Sequence, residues 1–239
     1  MMKIFLIFIL WLPLVMGHTT EKIKIGTFII PKYVRSNSEG EFVQLVKALA
    51  KKSGVEVEIV LIPPKRAYQE LELGTIQGLF PVVESRDFSR FETITDFYTK
   101  EMYIFEKAGV DYKKLKTPKV CTTEGYTYPE GYIQSQGWKK VVTDSDETCL
   151  KLLDKKRVDI FIGEVVTVND VIRTLGLDKK IVYDKFSPIT SEKVTLAFKK
   201  STHGKKLSDL FDKALKEIMI DRSYDKIFST GAIKIERKK

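Results

Sequence analysis

The chain has 239 residues, of which 43% are apolar and 31% are charged, so it can bury a core without a metal or many disulfides. Lysine and arginine outnumber aspartate and glutamate by 41 to 32, but the excess is spread over predicted helices and is not interleaved with aromatic residues in one block. We therefore expect solvated helix faces and no nucleic-acid partner. No cluster has metal-ligand spacing, so no metal or cofactor is expected.

Residues 1–17 contain the three parts of a secretory signal: a basic Lys3, an apolar run over residues 4–12, and small residues at 15–17. We expect cleavage near His18 and an exported mature protein that is not embedded in a membrane. A retained anchor is the alternative, but the apolar run is shorter than the roughly 20 residues that span a bilayer.

Strand and helix patterns alternate along the mature sequence. Residues 23–30 and 55–61 have strand patterns, and between them residues 41–53 carry apolar side chains on one helical face and stop at Gly54. This β-α-β order predicts a parallel sheet covered by helices. We predict further elements before residue 108 as a helix at 65–73 and strands at 76–83 and 102–106.

The pattern restarts after Pro118. We predict strands at 119–122, 141–142, 158–162, 180–183 and 194–199, and helices within 125–137, after Ser145, at 165–175, at 203–219 and at 222–228. The restart indicates two lobes. The lysine-rich residues 109–118 and the strand at 194–199 are the expected crossings between them.

Cys121 and Cys149 are the only cysteines. Two cysteines on adjoining elements of an exported protein favour a disulfide, and closing a loop of this size stabilises by roughly 3–4 kcal/mol in the chain-entropy model. Two unlinked buried thiols are the alternative.

Two helix–turn–strand segments end on residues of opposite charge, Arg86 and Glu164. If the segments are equivalent parts of two lobes, these residues can face each other across a cleft and hold a ligand with a carboxylate and an ammonium. The alternatives are a surface ion pair of Arg86 with Glu84 or Asp87, and a Glu164 that serves the start of the next helix.

A series of segments extends this pattern over nearly the whole mature chain: IKIGTF, KKSG, VEVEIV, LELGTIQGLFPVVESR, TDFYTKEMYIF, KRVDIFIGE, VTLAFKK and LFDKALKEIMIDRSYDKIFSTG. Their order and spacing resemble the bacterial extracellular solute-binding proteins of family 3, the periplasmic amino-acid-binding components of ATP-driven importers. The resemblance implies a monomer in the periplasm with an α/β two-lobe periplasmic-binding-protein fold of type II and two crossing strands. Lobe 1 would comprise residues 18–107 and 200–239, and lobe 2 residues 108–199.

The resemblance also implies site residues. Arg86 would bind the ligand carboxylate and Glu164 its ammonium. The carboxylate site would be completed by Gly125, Tyr126 and Thr127, and Tyr33 or Phe28 would form an aromatic wall. Separately, Arg66 follows two prolines and is a candidate cleft residue, with a solvated helix position as the alternative.

The chain departs from the family pattern in lobe 1. It has no acid at residues 28–33, Gln44 in the first helix, and an apolar stretch at 81–83 in place of a Ser/Thr-rich run. These changes remove polar contacts, so the ligand is expected to be atypical.

The expected function is capture of an amino acid or related zwitterion by lobe closure, with delivery to the permease of an ABC importer and no catalytic residue. One alternative is a periplasmic enzyme on the same fold, similar to cyclohexadienyl dehydratase, which would need a poised carboxylic acid. The other is a stand-alone ligand sensor.

Overall fold

The structure is a computed structural model that describes residues 22–228. The predicted signal segment at 1–17 and the cleavage position at His18 lie outside the described residues. Within residues 22–228, every helix is too short or too polar to cross a bilayer.

Ten strands and seven helices form the described chain. The strands are β1 Lys22–Thr27, β2 Glu56–Leu61, β3 Gly78–Val83, β4 Phe91–Thr93, β5 Tyr98–Lys107, β6 Lys119–Thr123, β7 Lys139–Thr143, β8 Ile160–Glu164, β9 Ile181–Tyr183 and β10 Thr190–Lys199. The helices are α1 Glu41–Ser53, α2 Pro64–Leu73, α3 Glu130–Ser135, α4 Asp146–Asp154, α5 Val165–Thr174, α6 Thr202–Ile220 and α7 Ser223–Phe228.

The sheet consists of two parallel sets joined by an antiparallel pair. Its strand order is β2-β1-β3-β10-β5-β8-β6-β7, with β4 added to β10 and β9 added to β5. β1 is parallel to β2 and β3, and β6 is parallel to β7 and β8. β10 and β5 run antiparallel to each other between the two sets. The predicted parallel β-α-β arrangement is therefore confirmed.

The helix ends follow the signals in the sequence. Gly54 ends α1 at φ 71° and donates its N–H to the Ala50 carbonyl, a left-handed conformation that glycine adopts at little cost. Ser145 begins α4, because its hydroxyl accepts the N–H of Thr148 at 3.2 Å. Both ends lie where the sequence predicts them.

The hydrophobic core falls into separate groups on the two sides of the central strand pair. On one side, Phe42 of α1 packs with Phe198 and Phe211 beside β1 and α6. On the other, Phe105 and Phe161 pack with residues of α4 and α5.

Strand β5 contributes side chains to both groups. At its start β5 places Tyr98 against the first group, and further along it places Phe105 in the second. Strand β5 thus contacts both groups along its length. The crossing at 109–118 stays a prediction. The first four side chains of β5 are all half-buried, so buried and exposed positions do not alternate there. The sequence therefore does not indicate the strand before residue 102. The exact lobe limits stay a prediction.

Cys121 and Cys149 form a disulfide, with their Cα atoms 5.7 Å apart. Cys121 lies on β6 and Cys149 on α4, so the bond fastens the helix to the sheet. The predicted pairing is confirmed, and the alternative of two free thiols is not what the structure contains.

Candidate functional site

A cleft with an open volume of about 630 Å³ lies at the carboxyl ends of β1, β3, β6 and β8. This is where open α/β sheets place their ligands. The residues that line it are Phe28, Ile30, Tyr33, Phe42, Tyr68, Pro81, Val83, Arg86, Tyr98, Lys100, Gly125, Tyr126, Thr127, Glu164, Thr167 and Val194. Both sides of the central strand pair contribute to this lining.

The structure brings six predicted site residues together in this cleft and leaves one outside. The six are Tyr33, Arg86, Gly125, Tyr126, Thr127 and Glu164. Phe28, the second candidate for the aromatic wall, lines the cleft as well. Arg66 is exposed on α2 and is absent from the lining. Tyr68 on the same helix faces the cleft instead. Because residues two positions apart lie on different faces of a helix, Arg66 points away from it.

Arg86 ends a short 3-10 turn that follows β3. Its guanidinium carbon lies 4.7 Å from the centre of the Tyr68 ring, within the range of a cation–π contact. Burial raises the pKa of Tyr68 to about 12, and the nearby guanidinium partly opposes that rise.

The surface ion pair considered for Arg86 does not form. Asp87 instead accepts hydrogen bonds from the N–H and hydroxyl of Ser89, at 3.1 and 2.7 Å. In the part of the chain that the structure describes, no carboxylate reaches ion-pair distance of Arg86. Its planar donors therefore remain available for an external carboxylate.

Glu164 is the last residue of β8 and the N-cap of α5. Its Oε1 accepts the N–H of Val166 at 3.1 Å and the Tyr98 hydroxyl at 2.9 Å, and its Oε2 accepts the N–H of Thr167 at 2.7 Å. The helix-start role considered for Glu164 is thus present. A carboxylate accepts about four hydrogen bonds, so one position remains open, on Oε2.

A chain of hydroxyl groups connects Glu164 to the opposite wall. The hydroxyl oxygens of Tyr33 and Tyr98 are 2.6 Å apart. Because Tyr98 gives its only hydrogen to Glu164, Tyr33 must donate to Tyr98. Burial, with the charge of Glu164 second, raises the pKa of both tyrosines far above their ordinary value, so both hydroxyls stay protonated. Tyr33, predicted as an aromatic wall, also has this polar contact.

Lys100 also lines the cleft, although the sequence did not indicate it as a site residue. Its ammonium donates to the Thr127 carbonyl at 2.9 Å and to Glu192 at 3.3 Å. Burial lowers the pKa of Lys100, and the charge of Glu192 opposes that effect. Lys100 and Glu192 are direct partners in the β5–β10 register, a pairing that no sequence spacing reveals.

The walls of the cleft meet at its mouth. Lys65 at the start of α2 forms an ion pair of 2.6 Å with Glu124 in the loop after β6. The next residue, Gly125, has φ +81°, and a Cβ atom there would lie 2.9 Å from the Pro64 Cβ. Both charged side chains are exposed, so the ion pair itself contributes little, whereas the close packing requires glycine.

Comparisons by sequence return no matching family model and no curated relative. Comparison by structure gives many matches. The GluR0 ligand-binding core from Nostoc punctiforme in complex with L-glutamate is 16% identical, with a TM-score of 0.74 over 87% of this chain and 97% of that one. A histidine kinase sensor domain with similarity to periplasmic binding proteins is 20% identical, with a TM-score of 0.74 over 88% and 95%.

A third similar structure is AbpA from Streptococcus pneumoniae, an amino acid ABC transporter substrate-binding protein bound to L-arginine. It is 17% identical, with a TM-score of 0.68 over 87% of this chain and 93% of that one. At such identities a structural match establishes the fold. The chain therefore has the α/β two-lobe fold of periplasmic binding proteins, as the sequence predicted.

Proposed function

We propose that this chain binds an α-amino acid or a related zwitterion in the cleft, with Arg86 on the ligand carboxylate and Glu164 on its ammonium. The observation that carries the proposal is that these two residues of opposite charge line one cleft. Each keeps unused capacity, since Arg86 has no carboxylate partner among residues 22–228 and Glu164 has one open acceptor position on Oε2.

The loop after β6 supports the carboxylate end of this proposal. The backbone N–H groups of Gly125, Tyr126 and Thr127 make no hydrogen bond to the described residues, although all three residues line the cleft. Buried or half-buried N–H groups need acceptors. A ligand carboxylate would supply them beside the guanidinium of Arg86.

We propose further that two lobes, residues 18–107 with 200–239 and residues 108–199, close over the ligand by bending at β5 and β10. Support comes from the lining, which draws on both sides of this strand pair, and from the Lys65–Glu124 contact at the mouth. Hinges of this kind absorb a rotation in a few residues at the ends of elements.

The proposed location is the periplasm, after removal of residues 1–17, with delivery to an ABC permease. One similar structure is described as an ABC transporter substrate-binding protein, and another as a sensor domain, so a sensor role is the alternative. The enzyme hypothesis gains nothing from the cleft. Glu164 accepts three hydrogen bonds and is thus held as an acceptor, where a general acid would need to donate.

Isothermal titration calorimetry of residues 18–239 with a panel of amino acids tests the binding proposal. Arg86→Ala should weaken the tightest ligand by about 10- to 100-fold, because charge-assisted hydrogen bonds contribute about 1.5–3 kcal/mol. The matched control is Arg90→Ala, which removes an arginine that pairs with Glu72 outside the cleft. Equal affinity in the wild type and Arg86→Ala would refute the assignment.

A further inference from the structure

The charges at the cleft fall into two balanced pairs. Lys100 and Glu192 lie 3.3 Å apart with side chains only 13% and 16% exposed, so they neutralise each other in a largely buried setting. Among the described residues that line the cleft, this leaves one cation, Arg86, and one anion, Glu164, to meet a ligand. A zwitterion whose side chain is uncharged matches that balance.

Within residues 22–228, a cationic ligand side chain would find no free carboxylate in the cleft. Glu164 is the one acidic residue among the described residues that line it, and three of its acceptor positions are filled. The fourth would be used by the ligand ammonium. A second cation would then be buried without a counter-charge, which is costly.

An anionic ligand side chain would also lack a free partner among the described residues of the cleft. The α-carboxylate would take Arg86, so the second carboxylate could turn only to Lys100. That ammonium already serves Glu192 and the Thr127 carbonyl. A second negative charge beside this single ammonium would disturb a pair that is already balanced.

Apolar side chains form a large part of the rest of the lining. Six of its side chains have no polar atom: Phe28, Ile30, Phe42, Pro81, Val83 and Val194. The hydroxyls of Tyr33 and Tyr98 are used by each other and by Glu164. Thr167 Oγ1 is buried without a hydrogen-bond partner in the described chain, and its backbone N–H binds Glu164 Oε2, so it lies where the ligand ammonium would be held.

We infer that the ligand is an α-amino acid with a large, uncharged and apolar side chain, either aromatic or branched aliphatic. The inference rests on the proposed function and adds the class of side chain. It separates this chain from the two similar proteins described with L-glutamate and L-arginine.

Titration calorimetry of residues 18–239 tests the inference with L-phenylalanine, L-leucine and L-isoleucine against L-glutamine, L-glutamate and L-arginine. At least one apolar amino acid should bind about tenfold or more tightly than all three polar ones. Equal or tighter binding of a polar or charged amino acid, lost in Arg86→Ala, would overturn the inference and leave the proposed function standing. Absence of binding by every α-amino acid would overturn both.

A charge-balance variant gives a second test. Glu192→Gln leaves Lys100 without its counter-charge, so the affinity for L-glutamate relative to L-leucine should rise about tenfold. The control is Asp154→Asn, which removes the 3.0 Å partner of Lys107 away from the cleft and should leave that ratio unchanged. A ratio that Glu192→Gln does not alter would show that the pair does not exclude acidic side chains.

Discussion

Tyr98 donates its hydroxyl to Glu164 Oε1 at 2.9 Å, which links the central strand β5 to the start of α5. The contact occupies Oε1 together with the Val166 N–H and leaves the open acceptor position on Oε2. The orientation of the proposed ammonium-binding carboxylate therefore depends on a residue that itself need not touch the ammonium.

We predict that Tyr98→Phe lowers the free energy of unfolding by about 1–3 kcal/mol, because it removes a hydrogen bond to a half-buried charge and leaves the Tyr33 hydroxyl without its acceptor. Urea denaturation followed by circular dichroism measures the change. The control is Tyr103→Phe, which removes a hydroxyl that donates to Glu101 at 3.2 Å outside the cleft. Equal losses in both variants would contradict a special role for the Tyr98 contact.

Gly125→Ala should weaken ligand binding about tenfold, because its Cβ would press on Pro64 at 2.9 Å and oppose closure at the mouth. The matched control is Gly109→Ala, which has a similar φ of +77° but open space around the added Cβ. It carries the same backbone strain without the contact.

Titration calorimetry gives the two affinities, and small-angle scattering with saturating ligand gives the compactness of each variant. If Gly109→Ala weakens binding as much as Gly125→Ala, backbone strain and not contact across the mouth explains the effect.

Loss of the disulfide should lower the free energy of unfolding by roughly 3–4 kcal/mol, because the reduced chain gains freedom when unfolded. The variant is Cys121→Ser with Cys149→Ser, compared with the oxidised wild type in urea. Adding a reductant should bring the wild type towards the variant and leave the variant unaltered. A reductant effect on the variant would mean that the loss arises elsewhere.

The buried carboxyl of Asp146 should make the free energy of unfolding depend on pH. The side chain is buried and its carboxylate accepts a hydrogen bond from the Thr123 hydroxyl. Burial raises the pKa of this carboxyl to about 6 from its ordinary value of 3.8. The folded state then binds more protons than the unfolded state between these values, so this residue's contribution to stability is full below about pH 4 and falls as pH rises to about 6.

The size of that fall is roughly 2–3 kcal/mol, since one pKa unit corresponds to about 1.4 kcal/mol. It is measured as the difference between wild type and Asp146→Asn in urea denaturation from pH 4 to 7. A difference that stays constant over this range would contradict the raised pKa.

Much of the fold follows from local patterns. The helix α1 has the predicted bounds because its apolar face, its terminal glycine and its length all agree. The start of β5 was missed, because half-buried residues there give no alternation.

The site divides in the same way. Arg86 and Glu164 lie at strand ends, which a linear pattern can locate. Lys100 could not be predicted, because its role in the cleft depends on its ion pair with Glu192. The two residues lie on neighbouring strands but are 92 residues apart in sequence. Tyr98 likewise gains its role from a neighbour on another strand. Such cross-strand contacts exist only once the sheet has formed.

The most direct test of the central claim combines a change in the ligand with a change in the protein. Calorimetry would give the affinities of the wild type and of Arg86→Ala for the tightest-binding amino acid and for its methyl ester. If Arg86 holds the carboxylate, esterification should cost about 10- to 100-fold in the wild type and little further in Arg86→Ala, because both changes remove the same contact. Equal losses from esterification in both proteins would contradict the claim.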